Sequence, residues 1–123
     1  MNKYILTALL TIFLISIGQI LFKLGANTLD SRFEILNISQ ILNIVSNKYL
    51  IFAIFIYILS TTLWIYTLSK LELSFGYILM SLSFPIILIL SSIVLHEEIS
   101  FYKIISVTLI VLANIILCIG EKI

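Results

Sequence analysis

The sequence predicts an all-α integral membrane protein. It should form one domain over residues 1–123, with four transmembrane helices, an amphipathic helix in the first loop, and a dimeric assembly. Three observations carry this expectation. The 123 residues are 62% hydrophobic and 11% charged, with a mean hydropathy of +1.25. A soluble domain of this size could not hide that much apolar surface. Four apolar runs each reach the roughly 20 residues that cross a bilayer core. All six acidic residues (Asp30, Glu34, Glu72, Glu97, Glu98 and Glu121) fall in loops or at the ends of these runs.

The first run, Tyr4 to Leu24, follows Lys3 as a signal peptide would. Its apolar core is too long for an h-region and no small-residue cleavage site follows, so it is expected to stay in the mature chain. Near its end, Ser16, Gln19 and Lys23 fall along one helical face. Lys23 lies roughly 30 Å beyond Lys3, near the opposite interface, where it can snorkel to water. Gln19 is one turn deeper, and an amide there needs hydrogen-bond partners on another helix or on a bound headgroup. Together the two residues offer donors and one positive charge, which suits a phosphate.

The connection that follows is long. Within it, residues 33–46 read FEILNISQILNIVS, with Ile35, Ile38, Ile41, Leu42 and Val45 on one side. Glu34, Asn37, Gln40, Asn43 and Ser46 recur on the other. That is helical amphipathicity with too many polar residues to span, so the segment should lie in the interface plane. A re-entrant element lining a headgroup route is the alternative.

The second span, Tyr49 to Ser69, carries Tyr57, Ser60 or Thr61, Trp64 and Thr67 at helical spacing. Trp64 could stack on a sugar ring, although an interface belt or packing explains it as well. The third span, Phe75 to Leu95, places Tyr77, Ser81 and Pro85 at i, i+4 and i+8, with Ser83 beside them. Pro85 should kink it and free a carbonyl that must find a partner. The fourth span, Ile104 to Gly120, contains Asn114, a residue suited to bonding between helices. The turns at Lys70–Ser74 and His96–Ser100 are short and impose antiparallel neighbours. In the second of these, Glu97 beside His96 can pair with Lys103 or help to cap the last helix near Ser100.

Charge and composition also exclude function classes. A net charge of +1 gives no basic patch for nucleic acid, and the single Cys118 rules out a disulfide framework. There is no metal set, cofactor motif or nucleophile–base constellation, so the chain does not read as an enzyme. No carboxylate lies at depth to hold a cationic drug or a proton. Lys3, Lys70, Lys122 and the terminal amine on one side nearly balance Lys23, Arg32, Lys48 and Lys103 on the other. That near-tie permits both orientations and hence an antiparallel homodimer, although a heterodimeric partner could equally set orientation. A four-helix chain also supplies only one of the two halves that transporters commonly invert.

The stretches SIGQILFKLGA, from Ser16, and LWIYTLSKLELSFGYILMSLSFPIILILSSIVLHEEIS, from Leu63, carry a resemblance over nearly the whole chain. They resemble the four-helix members of the drug/metabolite transporter superfamily, closest to the small subunits of the aminoarabinose–phosphoundecaprenol flippase. The resemblance implies a flippase of the bacterial cytoplasmic membrane that moves a polyprenyl-phosphate-linked monosaccharide or related anionic lipid between leaflets. Alternating access would occur at a homo- or heterodimer interface. On this reading Gln19 and Lys23 hold the phosphate, and Tyr77, Ser81, Ser83 and Trp64 line the sugar path. His96, Glu97 and Lys103 then form a gating or ion-pair group. The related small multidrug-resistance proteins carry a glutamate where this chain has Ile15, which argues against drug/proton exchange. Glu98 departs from the flippase pattern, which has proline there. Two other readings stand beside the flippase: a small-molecule exporter, and a non-transporting subunit that scaffolds a glycosyltransferase.

Overall fold

The computed structural model describes residues 2–29 and 37–121. Six helices follow in order: α1 (Asn2–Asn27), α2 (Ile38–Ser46), α3 (Lys48–Leu68), α4 (Leu73–Met80), α5 (Ser83–Val94) and α6 (Phe101–Gly120). No strand occurs among the described residues. Four helical segments, Lys3–Asn27, Lys48–Leu68, Leu73–Val94 and Phe101–Gly120, are long and apolar enough to cross a membrane. By the length and composition of these helices, the chain is a multi-pass membrane protein.

The central helix is α1. Its most extensive neighbour is α3, and its other side meets α4 and α5. Thr7 meets Thr67 through a 3.2 Å hydroxyl–hydroxyl bond, Gly18 lies under Tyr57, and Gly25 lies under Leu50. Numbers that fall along one helix as they rise along the other make the pair antiparallel. A Cβ at Gly18 would come within 2.7 Å of the Tyr57 ring, and one at Gly25 within 2.4 Å of Leu50. Glycine at these two places lets the backbones approach closely, as membrane helices do when lipid supplies no hydrophobic drive between them. Three other small hydroxyls in this region are satisfied within their own helices. Thr11 donates to the Thr7 carbonyl, Ser16 to Ile12 and Ser60 to Ile56, at 2.7–2.8 Å. Bonded to the preceding turn, they act as flush packing residues. On the other side of α1, Ala8 and Ile12 pack with Leu79 of α4, flanked by Phe75 and Ile86.

The third span is broken rather than gently kinked. Ser81 and Leu82 donate their N–H groups to the carbonyls three residues earlier, Ile78 and Leu79, at 3.1 Å. Pro85 has no N–H to give to the Ser81 carbonyl, four residues back. That carbonyl instead accepts from Phe84 at 3.1 Å. The missing donor is thus made good by a tighter local turn, one turn before the proline itself.

Asn47 organises the first connection. Its side-chain carbonyl accepts the N–H groups of Tyr49 and Leu50 at 3.0 and 3.4 Å, capping α3. Its side-chain amide donates to the Thr28 hydroxyl, which itself donates to the Gly25 carbonyl at the end of α1. Its backbone N–H closes α2 on the Ile44 carbonyl at 3.2 Å. One residue thereby joins the ends of three helices. No residue of α2 is buried, and Ile38, Ile41, Leu42 and Val45 are exposed. Residues 33–36 of the expected amphipathic segment, and Arg32 before them, lie outside the described residues.

Candidate functional site

Gln19 sits two turns before the end of α1, about 12 Å in. Its side-chain amide donates to the hydroxyl of Tyr57 on α3. The contact exists because Gly18, its neighbour, admits the Tyr57 ring against the α1 backbone. Phe22, one turn on, packs against the same ring with centroids 5.1 Å apart. Lys23 is exposed one turn closer to the helix end than Gln19, and among the described residues it makes no hydrogen bond or ion pair. Gln19 satisfies one of its groups on α3 and keeps its carbonyl oxygen free of partners among the described residues. Ser16, the third member of the expected stripe, is fully buried and committed to its own helix. The stripe therefore resolves into one packing residue, one cross-helix bond and one cation that is unpaired among the described residues.

Beside Tyr57, a groove of about 380 Å³ is lined by Phe22, Ile54, Ile58, Thr61 and Thr62. Its polar residues are Tyr57 and the two threonines, and Thr62 is turned onto the Ile58 carbonyl at 3.0 Å. This groove joins the Gln19–Tyr57 pair to an apolar, membrane-facing wall of a kind that accepts hydrocarbon.

The remaining expected residues gather elsewhere. Trp64 and Tyr77 meet edge to face, with centroids 5.9 Å apart and planes at 83°. Gly76 makes room for them: a Cβ there would lie 3.3 Å from the Trp64 ring. Trp64 is seven residues from Tyr57, about 10 Å along α3 toward its other end. Ser81 bonds twice, donating to the Ile78 carbonyl at 2.6 Å and accepting from the Asn114 amide at 2.8 Å. Asn114 is thus the interhelical link, and its own Oδ1 is buried without a partner among the described residues. Ser83 is buried, 8% exposed. The candidate residues form three pairs at different levels of the bundle: Gln19 with Tyr57, Trp64 with Tyr77, and Ser81 with Asn114.

At the turn after α5, His96 adopts a left-handed backbone (φ 55°) and the Glu97 N–H reaches back to the Ser91 carbonyl at 3.3 Å. The Ser100 hydroxyl caps α6 by accepting from the Lys103 N–H at 3.3 Å. Lys103 Nζ donates to the Glu98 carbonyl at 2.8 Å, and it forms no ion pair with Glu97. Among the described residues no group of three His, Cys, Asp or Glu is placed to hold a metal ion.

Tyr57 was visible in the sequence as part of a polar stripe but was not singled out as a site residue. What singles it out is the register of α1 against α3, which Gly18 sets. No family model matches the chain, and no curated protein or solved structure matches it significantly.

Proposed function

We propose that this protein is a flippase for an anionic lipid, a polyprenyl-phosphate-linked monosaccharide or a close chemical relative. It would work by alternating access at the interface of a dimer in a bacterial cytoplasmic membrane. The observation that carries the reading is the pairing of a cation unpaired among the described residues, Lys23, with an uncharged polar pair, Gln19 and Tyr57, one turn deeper in the membrane. A cation held near the interface attracts a phosphate, and the amide and phenol behind it offer bonds to the phosphate or to a sugar. The groove beside Tyr57 gives the prenyl tail an apolar wall to follow. Carboxylates are missing from the spans, which removes the group that a drug/proton exchanger uses. The exposed apolar residues of α2 agree with a helix lying in the headgroup plane beside this end of the bundle.

The scaffold reading has one observation in its favour: Gln19 already has an internal partner, as a purely structural residue would. Thermal unfolding of the purified protein with undecaprenyl phosphate separates the two. A ligand bound only by the folded state stabilises it by about 2.7 kcal/mol at a hundredfold excess over its dissociation constant. The flippase reading expects that stabilisation in the wild type and its loss in Lys23→Ala, with ligand-free stability unchanged. Equal shifts in both proteins would remove Lys23 from the site. No shift in either would favour the scaffold.

A further inference from the structure

A second concave region lies between α5 and α6 and takes no residue from α1 or α3. The two ends of this region differ. At one, Asn114 of α6 is bonded to Ser81, just before α5. Beyond that tie the helices stand apart around a cleft of about 470 Å³. Its α6 wall runs from Tyr102 to Ile110, about 12 Å along the axis. That is close to half of a ~30 Å hydrocarbon core, the depth of a single leaflet.

The lining is graded. Phe84, Leu88 and Ile110 make the inner part apolar, and Glu97 and Lys103 flank the mouth. Ser91 and Ser106 bring no free donor, because each donates to a carbonyl of its own helix. Lys103 uses one of its three donors on the Glu98 carbonyl, at 2.8 Å. Among the described residues neither Lys103 nor Glu97 has an ion-pair partner. The mouth therefore holds one cation and one anion that do not neutralise each other, above a slot for hydrocarbon.

We propose that the α5–α6 cleft binds one zwitterionic phospholipid with a primary-amine headgroup. One acyl chain lies between the helices, the phosphate sits at Lys103 and the ammonium at Glu97. In such a headgroup the two charges are held apart by a two-carbon link, which matches a mouth whose own charges are held apart. An anionic lipid satisfies Lys103 but meets Glu97, with Glu98 adjoining it on the same loop. A choline headgroup brings positive charge without N–H donors, so it cannot make the charge-assisted bonds available to a primary amine. A second copy of the chain seated in the cleft would have to bring opposite charges of its own to Glu97 and Lys103, because unpaired charges are costly to bury. The inference requires only that the chain sits in a bilayer. It is independent of what the Gln19–Tyr57 site carries.

The test is native mass spectrometry of the full chain released from nanodiscs containing equal parts of phosphatidylethanolamine, phosphatidylglycerol and phosphatidylcholine. The wild type should retain one phosphatidylethanolamine per chain. Glu97→Gln should reduce its preference over phosphatidylglycerol by about tenfold, the loss of one charge-assisted bond. Val107→Phe, which fills the cleft, should abolish retention while circular dichroism and melting confirm the fold. Ser106→Leu is a smaller block if Val107→Phe fails to fold. Lys23→Ala should retain the lipid as the wild type does, which separates this site from the proposed transport site. Equal retention of all three lipids, a preference indifferent to Glu97→Gln, or lipid-free dimers in place of lipid-bound chains would overturn the proposal.

Discussion

The α1–α3 pair and the α5–α6 pair are both antiparallel neighbours joined through the membrane, yet they are held together differently. Along α1 and α3 the contact runs nearly end to end, from Thr7–Thr67 through Gly18–Tyr57 to Gly25–Leu50. Two glycines bring the backbones close, and Thr11, Ser16 and Ser60 are bonded within their own helices. Along α6 only Asn114 is buried, and a Cβ at Gly120 would meet nothing within 4 Å. There a single amide ties one level, and bulky side chains leave a cleft above it. The difference shows where close packing in lipid comes from: small residues in register, since apolar character alone does not tell a neighbouring helix from a lipid tail.

The largest effect should come from disturbing the close approach. Gly25→Val forces side-chain atoms into the space of Leu50 and should destabilise the fold by about 3 kcal/mol, the upper end of overpacking costs. Gly120→Val, in open surroundings, should leave the melting temperature unchanged. If the two variants melt alike, glycine register is not what joins α1 to α3. Removal of the tie at the other pair should cost less. Asn114→Leu deletes the bond to Ser81, worth about 0.6 kcal/mol on average between membrane helices. It also removes the buried, unpartnered Oδ1, so net stability should fall by less than about 1 kcal/mol. Its clearer signature is faster amide hydrogen exchange in α6 with α1 and α3 unaffected. Uniform acceleration across all helices would mean that the two pairs unfold as one unit. The smallest effect concerns the turn at His96. Its left-handed backbone carries a penalty of about 1–2 kcal/mol for a residue with a Cβ. His96→Gly relieves it and gives back part of the gain through the freedom of glycine in the unfolded chain. A stabilisation of at most about 1 kcal/mol in a thermal melt is expected, and a loss would assign the His96 side chain a contact of its own.

Much of the architecture was legible because hydropathy and length are one-dimensional. The four spans fall within about three residues of their expected ends, and the short turns were readable from Lys70–Ser74 and His96–Ser100. Pro85 announced that a carbonyl would lose its donor, since the missing N–H belongs to the residue itself. The break nonetheless falls at Ser81–Leu82, because the orphaned carbonyl lies four residues back and is rescued by a tighter turn. The candidate site was legible only in part. Gln19 and Lys23 were identified by their depth in an apolar run. Tyr57 was not, and of the residues grouped along one path Trp64 and Tyr77 meet each other while Ser81 bonds to Asn114.

The sequence by itself determined the membrane class, the number of spans, the absence of deep carboxylates and the polar stripe on the first helix. Each of these is a property of residues and their spacing along one chain. The tertiary structure decided which of those polar groups are spent and which are free. Ser16 turns onto its own helix, Gln19 onto Tyr57 and Ser81 onto Asn114, while Lys23, Glu97 and Lys103 keep their charges unpaired among the described residues. That division depends on helix register, which Gly18 and Gly25 set by how closely two backbones can approach. Such a distance belongs to a pair of helices, and neither helix's sequence contains it alone.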